Sequence, residues 1–156
     1  MRKTLIAAAM FTAVTASATA GADNIVLAFE TMAGVSGPFV GPTNPIRGIG
    51  GGGQPWRLDA AKGELRRNGR LEISVRGLVL TNSGTNPVPN FRGVVSCQII
   101  DGAGQPAVLN VSTLDFPATP TGDSDIEADL VLPNQCFAPI IFVTNSQGRW
   151  FAVTGY

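Results

Sequence analysis

The chain has 156 residues, with 11 Lys and Arg against 11 Asp and Glu, and it contains no histidine. Zero formal charge and the lack of a basic stripe exclude the electrostatic footprint of a nucleic-acid binder. The missing histidine removes Ser-His and Cys-His nucleophilic pairs and leaves two cysteines, a poor ligand set for zinc.

The first segment reads as an address. Met1-Arg2-Lys3 is a basic start, residues 4–14 are apolar apart from Thr4 and Thr12, and Ala18-Thr19-Ala20 is a small-x-small cleavage site. That order is the pattern of a secretory signal peptide over residues 1–20, with Ala20-Gly21-Ala22 as a second cleavage option. The apolar run falls short of the roughly 20 residues that a spanning helix needs, and no later run reaches that length. The expectation is export to the periplasm, the cell surface or the medium, with one domain over residues 21–156. Losing Arg2 and Lys3 leaves the mature chain mildly acidic.

No window in that remainder shows apolar residues at helical spacing. Short β-branched or apolar runs recur between Gly, Pro, Asn and Asp. Residues 25–29 are the first predicted strand. Residues 34–55 carry Gly37-Pro38, Gly41-Pro42, Asn44-Pro45 and the run Gly48-Ile49-Gly50-Gly51-Gly52-Gly53, and read as a long surface loop. The run matches G-x-G-x-x-G, but it precedes Gln54-Pro55 rather than a helix, so it reads as flexible loop and not as a nucleotide site. Residues 56–58 and 63–66 are short strands.

A long strand is predicted over 70–80. Leu71, Ile73 and Val75 share one face, Glu72, Ser74 and Arg76 the other, and Gly77 interrupts the alternation as a bulge does. Two registers compete at Arg67-Asn68-Gly69. A two-residue Asn-Gly hairpin sets Leu65 opposite Glu72. A three-residue loop with a left-handed Gly69 sets Leu65 opposite Leu71 and Ala61 opposite Val75, and keeps one face apolar; the second is preferred. Further strands follow over 91–100, 107–113, 125–132, 139–144 and 149–154. The turns are Asp101-Gly102-Ala103-Gly104 and Asn145-Ser146-Gln147-Gly148. The reading is an all-β fold, an antiparallel β-sandwich of about eight strands.

Cys97 shares its parity with Phe91, Val95 and Ile99 and so faces the core. Two cysteines in an exported chain predict one disulfide, Cys97 to Cys136. A closed loop of about 40 residues stabilises by roughly 4 kcal/mol in the chain-entropy model.

The chemical candidates are few. Asp123, Asp125, Glu127 and Asp129 share a parity, about 6–7 Å apart along a strand. Of these Asp123, Asp125 and Glu127 are the candidate ligands of a Ca²⁺ ion, against a solvated strand face that Lys62, Arg66 or Arg76 would neutralise. Glu64 and Glu72 are the candidate carboxylates of a histidine-free hydrolase, or a cross-strand surface pair. Lys62 alone could serve a Ser-Lys dyad. Trp56, Trp150, Phe151 and Phe91 read as core before they read as a binding patch.

The segments Gly50-Gly51-Gly52-Gly53-Gln54-Pro55-Trp56, Arg76-Gly77-Leu78-Val79-Leu80, Ala138-Pro139-Ile140-Ile141-Phe142-Val143 and Trp150-Phe151-Ala152 resemble those of small exported bacterial proteins that carry no assigned activity. The resemblance implies export and one compact domain, and lends no site residue. The expected function is binding or structural support outside the cytoplasm, without catalysis, cofactor or nucleic acid. The ligand is a surface or extracellular one, engaged by the loops at 34–55 and 82–90. The alternatives are a carboxylate hydrolase and a Ca²⁺-stabilised surface module.

Overall fold

A computed structural model describes residues 24–154; the leader predicted at 1–20 and its second cleavage option lie outside the described residues. The strands are β1 (Ile25–Phe29), β2 (Ala33–Gly34), β3 (Trp56–Arg57), β4 (Ala60–Arg66), β5 (Arg70–Arg76), β6 (Val79–Leu80), β7 (Asn90–Ile100), β8 (Pro106–Ser112), β9 (Phe116–Pro117), β10 (Ser124–Asp129), β11 (Phe137–Thr144) and β12 (Trp150–Val153). The ladders are antiparallel. One sheet has the order β1-β4-β5-β10, the other β2-β12-β11-β7-β8 with β9 also on β7, and β3 pairs β6 in a small ribbon. The fold is all-β, as the alternating patterns predict. Among the described residues no helix is long and apolar enough to cross a membrane.

The β4–β5 hairpin takes the register that keeps apolar residues together. Leu65 faces Leu71 and Ala61 faces Val75. The turn allows this because Gly69 is left-handed, with φ +90°. Its N–H donates to the Arg66 carbonyl at 2.9 Å, and Asn68 Oδ1 accepts from the Arg70 N–H at 3.1 Å. The predicted strand over 70–80 is in fact two. Gly77 has φ +67° and its N–H leaves the ladder for Asp123 Oδ1 at 3.0 Å, so β5 ends at Arg76 and β6 joins β3.

The two main sheets pack face to face at van der Waals distance. A Cβ built on Gly93 of β7 would lie 3.0 Å from both Leu71 Cδ2 and Ile73 Cδ1 of β5. Leu65, Leu71, Ile73, Val75 and Ile126 from the first sheet join Phe91, Val95, Cys97, Ile141 and Val143 from the second in one core. Trp56 stacks on Phe151 at 3.9 Å between ring centroids, and Phe91 meets both rings edge-on. The disulfide joins Cys97, on the inner face of β7, to Cys136 just before β11, with the two Cα atoms 4.7 Å apart.

The second sheet is covered on both faces at β12 and over the middle of β7 and the end of β11. In β7, Val94 and Ser96 are as buried as their inward neighbours Val95 and Cys97, and all of β12 is buried. The cover is the Gly/Pro stretch after β2, a surface loop as the sequence predicts, but with Ile49 and Gly50–Gly52 buried against the sheet. Residues Gly37–Phe39 form a single 3-10 turn. Ile46 and Ile49 then exchange backbone hydrogen bonds of 3.0 and 2.9 Å around Arg47 and Gly48, both at positive φ, as a two-residue type I′ hairpin requires. Gly50–Gly52 next run parallel to the edge of β12. Trp150 N–H donates to the Gly50 carbonyl at 3.1 Å and Gly52 N–H to the Trp150 carbonyl at 2.9 Å.

These glycines serve close approach rather than flexibility. A Cβ on Gly51 would overlap the Phe39 carbonyl oxygen and sit 2.7 Å from Val35 Cγ2. One on Gly52 would press Phe151 Cδ1 at 3.0 Å and Trp56 Nε1 at 3.1 Å. Gly53, exposed, has nothing within 4 Å. Gly51→Ala is therefore expected to lower the unfolding free energy by roughly 1–3 kcal/mol, because a backbone neighbour must move. Gly53→Ala is expected to change it by less than about 0.5 kcal/mol. Urea unfolding followed by tryptophan emission compares the two; equal effects would show that the strap tolerates side chains.

Candidate functional site

The outer face of the first sheet carries its charges in rows, because the registers of β4–β5 and β5–β10 align. Glu64, Glu72 and Glu127 form one row, and Lys62, Ser74 and Asp125 the next. Directly opposed side chains lie about 4.5–5.5 Å apart at Cβ, a spacing at which like charges repel. Arginines offset this. Arg66 Nε binds Glu64 Oε1 at 2.6 Å. Arg70 reaches Glu72 at 3.2 Å, Glu127 at 2.9 Å and Asp129 at 3.5 Å. Arg76 Nη2 binds both oxygens of Asp125, at 2.8 and 3.0 Å. A shallow cavity of about 300 Å³, with Glu30 and Ile73 in its lining, lies between the rows.

The structure brings Glu64 and Glu72 together as cross-strand neighbours, and Lys62 opposite Ser74. Each glutamate is bound to an arginine on an open face, whereas a catalytic acid is raised by an apolar pocket that excludes such partners. The Ser74 hydroxyl beside Asp125, ahead of Arg76, holds the Asp125 carboxyl below its ordinary range.

The three candidate Ca²⁺ ligands do not converge. Asp123 sits in the turn before β10, where its Oδ1 accepts from the Gly77 N–H and its Oδ2 from Thr121 Oγ1 at 2.9 Å. Asp125 is held by Arg76 and Glu127 by Arg70. Among the described residues no three Asp, Glu or Cys side chains are grouped to hold a metal ion.

A second surface was not visible in the motifs. Where the strap lifts off β2, β11 and β12 it leaves a cleft of about 410 Å³ lined by Ser36, Phe39, Ile46, Ile140, Trp150 and Val153, among others. Each wall has a local cause. Phe39 is set by the 3-10 turn, with Pro38 at its start, where a missing N–H costs nothing. The Asn44 side chain donates to the Pro38 carbonyl at 2.7 Å and holds the turn closed. Ile46 is held in its tight hairpin. Trp150 packs against Phe39 in the cleft wall, ring centroids 6.4 Å apart, and against Phe142 at 6.2 Å.

The hairpin tip anchors the strap. Arg47 donates from Nη1 to the Ser96 carbonyl and from Nη2 to the Ala138 carbonyl, both at 2.7 Å. The β7–β11 ladder slips between Phe137 and Ile140, and Ala138 has φ +41°. The guanidinium meets carbonyls at this irregularity, and burial lowers its pKa from the ordinary value. Asn110 of β8 donates to the Arg47 carbonyl at 3.1 Å.

Trp150 is 2% exposed and its Nε1 is buried without a hydrogen-bond partner. An unpaired buried donor costs about 1–3 kcal/mol. The other expected recognition segment, 82–90, is tied at Asn86 to the turn before β10 and is otherwise mostly exposed. Asn86 Nδ2 donates to the Thr119 and Val88 carbonyls at 2.9 and 2.8 Å, and no residue of that segment lines the cleft. Trp56, Phe91, Phe151 and Trp150 are all core residues, Trp150 also forming a cleft wall. One signal pointed toward the cleft. Ile140–Val143 and Trp150–Val153 are unbroken apolar runs, the mark of strands covered on both faces.

The carboxylates give a pH dependence. Asp123 is held below the ordinary carboxylate range chiefly by the Gly77 N–H, then by Thr121. A depressed folded pKa contributes stability above the unfolded pKa and loses it as pH falls through the folded value. The melting temperature is therefore expected to fall from about pH 4 downward. Asp123→Asn should melt lower than the parent at neutral pH, with the gap closing in acid. A gap independent of pH in melts monitored by circular dichroism would refute the role of this charge. The chain matches no protein-family model, no curated protein and no solved structure, which leaves its own geometry as the ground for a functional reading.

Proposed function

We propose that this protein is a non-catalytic binding module that takes a small, largely apolar molecule bearing a hydrogen-bond acceptor into the cleft under the 36–54 strap. The observation that carries the reading is the pairing of an aromatic-walled cleft with the unpaired indole N–H of Trp150. Ligand sites are typically concave, mostly apolar and about 300–1,000 Å³, with few polar groups to orient the guest. A guest acceptor that reached Nε1 would satisfy a donor that the protein leaves unpaired. The cleft lining contains no acid, base or thiol, only the hydroxyls of Ser36 and Thr154, and Thr154 Oγ1 already accepts from the Ile141 N–H at 2.9 Å. The leader pattern at 1–20 and the disulfide support a setting outside the cytoplasm.

Prodan, a neutral naphthyl ketone fluorophore whose carbonyl supplies the acceptor, tests the cleft. The expected result is saturable one-site binding with a dissociation constant of roughly micromolar size. Ala33→Phe, which fills the cleft from β2, should abolish it while the melting temperature stays within a few degrees of the parent. Lack of saturation, or equal binding by the parent and Ala33→Phe, overturns the reading.

A further inference from the structure

We infer that β8 is a pairing edge, and that its occupant is the β8 of a second copy of this chain, running antiparallel about a two-fold axis through Leu109. β8 ends its sheet, with β7 on its only paired side. The ladder fixes which backbone groups look outward. Asp101 N–H donates to the Gln105 carbonyl and Thr113 N–H to the Gly93 carbonyl. In an antiparallel pair, bonded and non-bonded positions alternate. Ala107, Leu109 and Val111 therefore bond to β7, and Pro106, Val108, Asn110 and Ser112 turn their backbone groups away. Among the described residues none of these outward groups has a backbone partner beyond the ladder. Pro106, which has no N–H to offer, falls at an outward position where the β7 ladder loses nothing.

The choice of a second copy rests on charge and on the other edges. Residues 106–114 carry no charge, so β8 can face itself without opposing like charges. The edge strand β10 cannot. An antiparallel self-pair centred on Glu127 sets it against its own copy and Asp125 against Asp129. β1 is uncharged, but its ladder is broken by a bulge between Ile25 and Leu27, and β2 has two residues. β8 is also flanked by apolar surface of a kind that monomers keep sparse: Ile100, Val108, Leu109, Leu114 and Phe137 are all exposed.

An axis through Leu109 satisfies both faces at once. It pairs Leu109 with its copy and Ala107 with Val111 on one face, and Val108 with Asn110 and Pro106 with Ser112 on the other. The second set matches the outward backbone groups and yields about six intermolecular hydrogen bonds. The interface is isologous and closes at two copies.

Sedimentation equilibrium on the disulfide-intact protein, over roughly 1 μM to 1 mM, reads the mass. The expected result is a reversible dimer. Val108→Pro removes an outward N–H that the β7 ladder does not use, and Leu109→Lys sets two cations on the axis. Each should yield a monomer with the circular dichroism of the parent. Leu109→Cys should cross-link to its copy on mild oxidation and Ser112→Cys should not, since only the former meets itself. A parent that stays monomeric throughout overturns the inference. So does a dimer untouched by both substitutions, or cross-linking from Ser112→Cys alone. If Val108→Pro and Leu109→Lys do not fold, the two cysteine variants decide it.

Discussion

Gly51 and Gly52 lie where the chain passes within contact distance of Phe39, Val35, Trp56 and Phe151, and a Cβ there would overlap the Phe39 carbonyl or press on the rings. That steric condition lets a backbone strap run alongside β12 and trade hydrogen bonds with Trp150. With the strap in place, the outer surfaces of β7, β11 and β12 leave water, which is why Val94, Phe142 and Trp150 can be apolar on a side that a simple sandwich would expose. Arg47 fastens the strap at its tip, and the cleft is the space it does not fill. Larger residues at 51 and 52 would push the strap off and leave the second sheet with a bare apolar face.

Arg47 shows how an irregularity is stabilised without an opposite charge. β11 slips against β7 near Ala138, and a slip of this kind takes carbonyls out of the ladder. A planar guanidinium has donors enough to reach two carbonyls on adjacent strands at once. A lysine would reach them with a compact ammonium and without the fixed fork. The tight hairpin that holds Arg47 at positive φ sits above the slip and next to the disulfide-bearing segment, so a backbone hairpin, a side chain and a covalent bond secure the same corner.

The parts legible in the sequence are those governed by alternation and by turn chemistry. Leu71, Ile73 and Val75 announced an inward face, and the choice between two registers at Asn68-Gly69 followed from which one kept Leu65 with Leu71. The Cys97–Cys136 bridge followed from the residue count and from the parity of Cys97. The strap was not legible, because a run of glycines has the same composition whether it is mobile or wedged between rings; only the neighbours distinguish the two. Gly77 illustrates the same limit. Its left-handed geometry reads as a bulge until Asp123, distant in sequence, claims its N–H and ends the strand. The cleft depends on four separate segments meeting, and no local pattern encodes such a meeting. The rows on the first sheet were half legible: Glu64 and Glu72 could be paired across the turn, but the bridges from Arg70 to Glu127 and from Arg76 to Asp125, and Ser74 between Lys62 and Asp125, needed the third strand.

The docking of Gly50–Gly52 on Trp150 joins segments about a hundred residues apart in the chain. A chain emerging amino end first, from a ribosome or from an export pore, has its β4–β5 and β7–β8 hairpins available long before residue 150 is released. Those hairpins can form from local contacts, while the strap has no edge to lie against. During that interval the outer face of β7 is bare and the chain is at its most adhesive. Completion of the barrier to water, and with it the appearance of any guest site, is therefore a late and nearly simultaneous event, set by when β12 arrives rather than by how quickly the earlier strands pair.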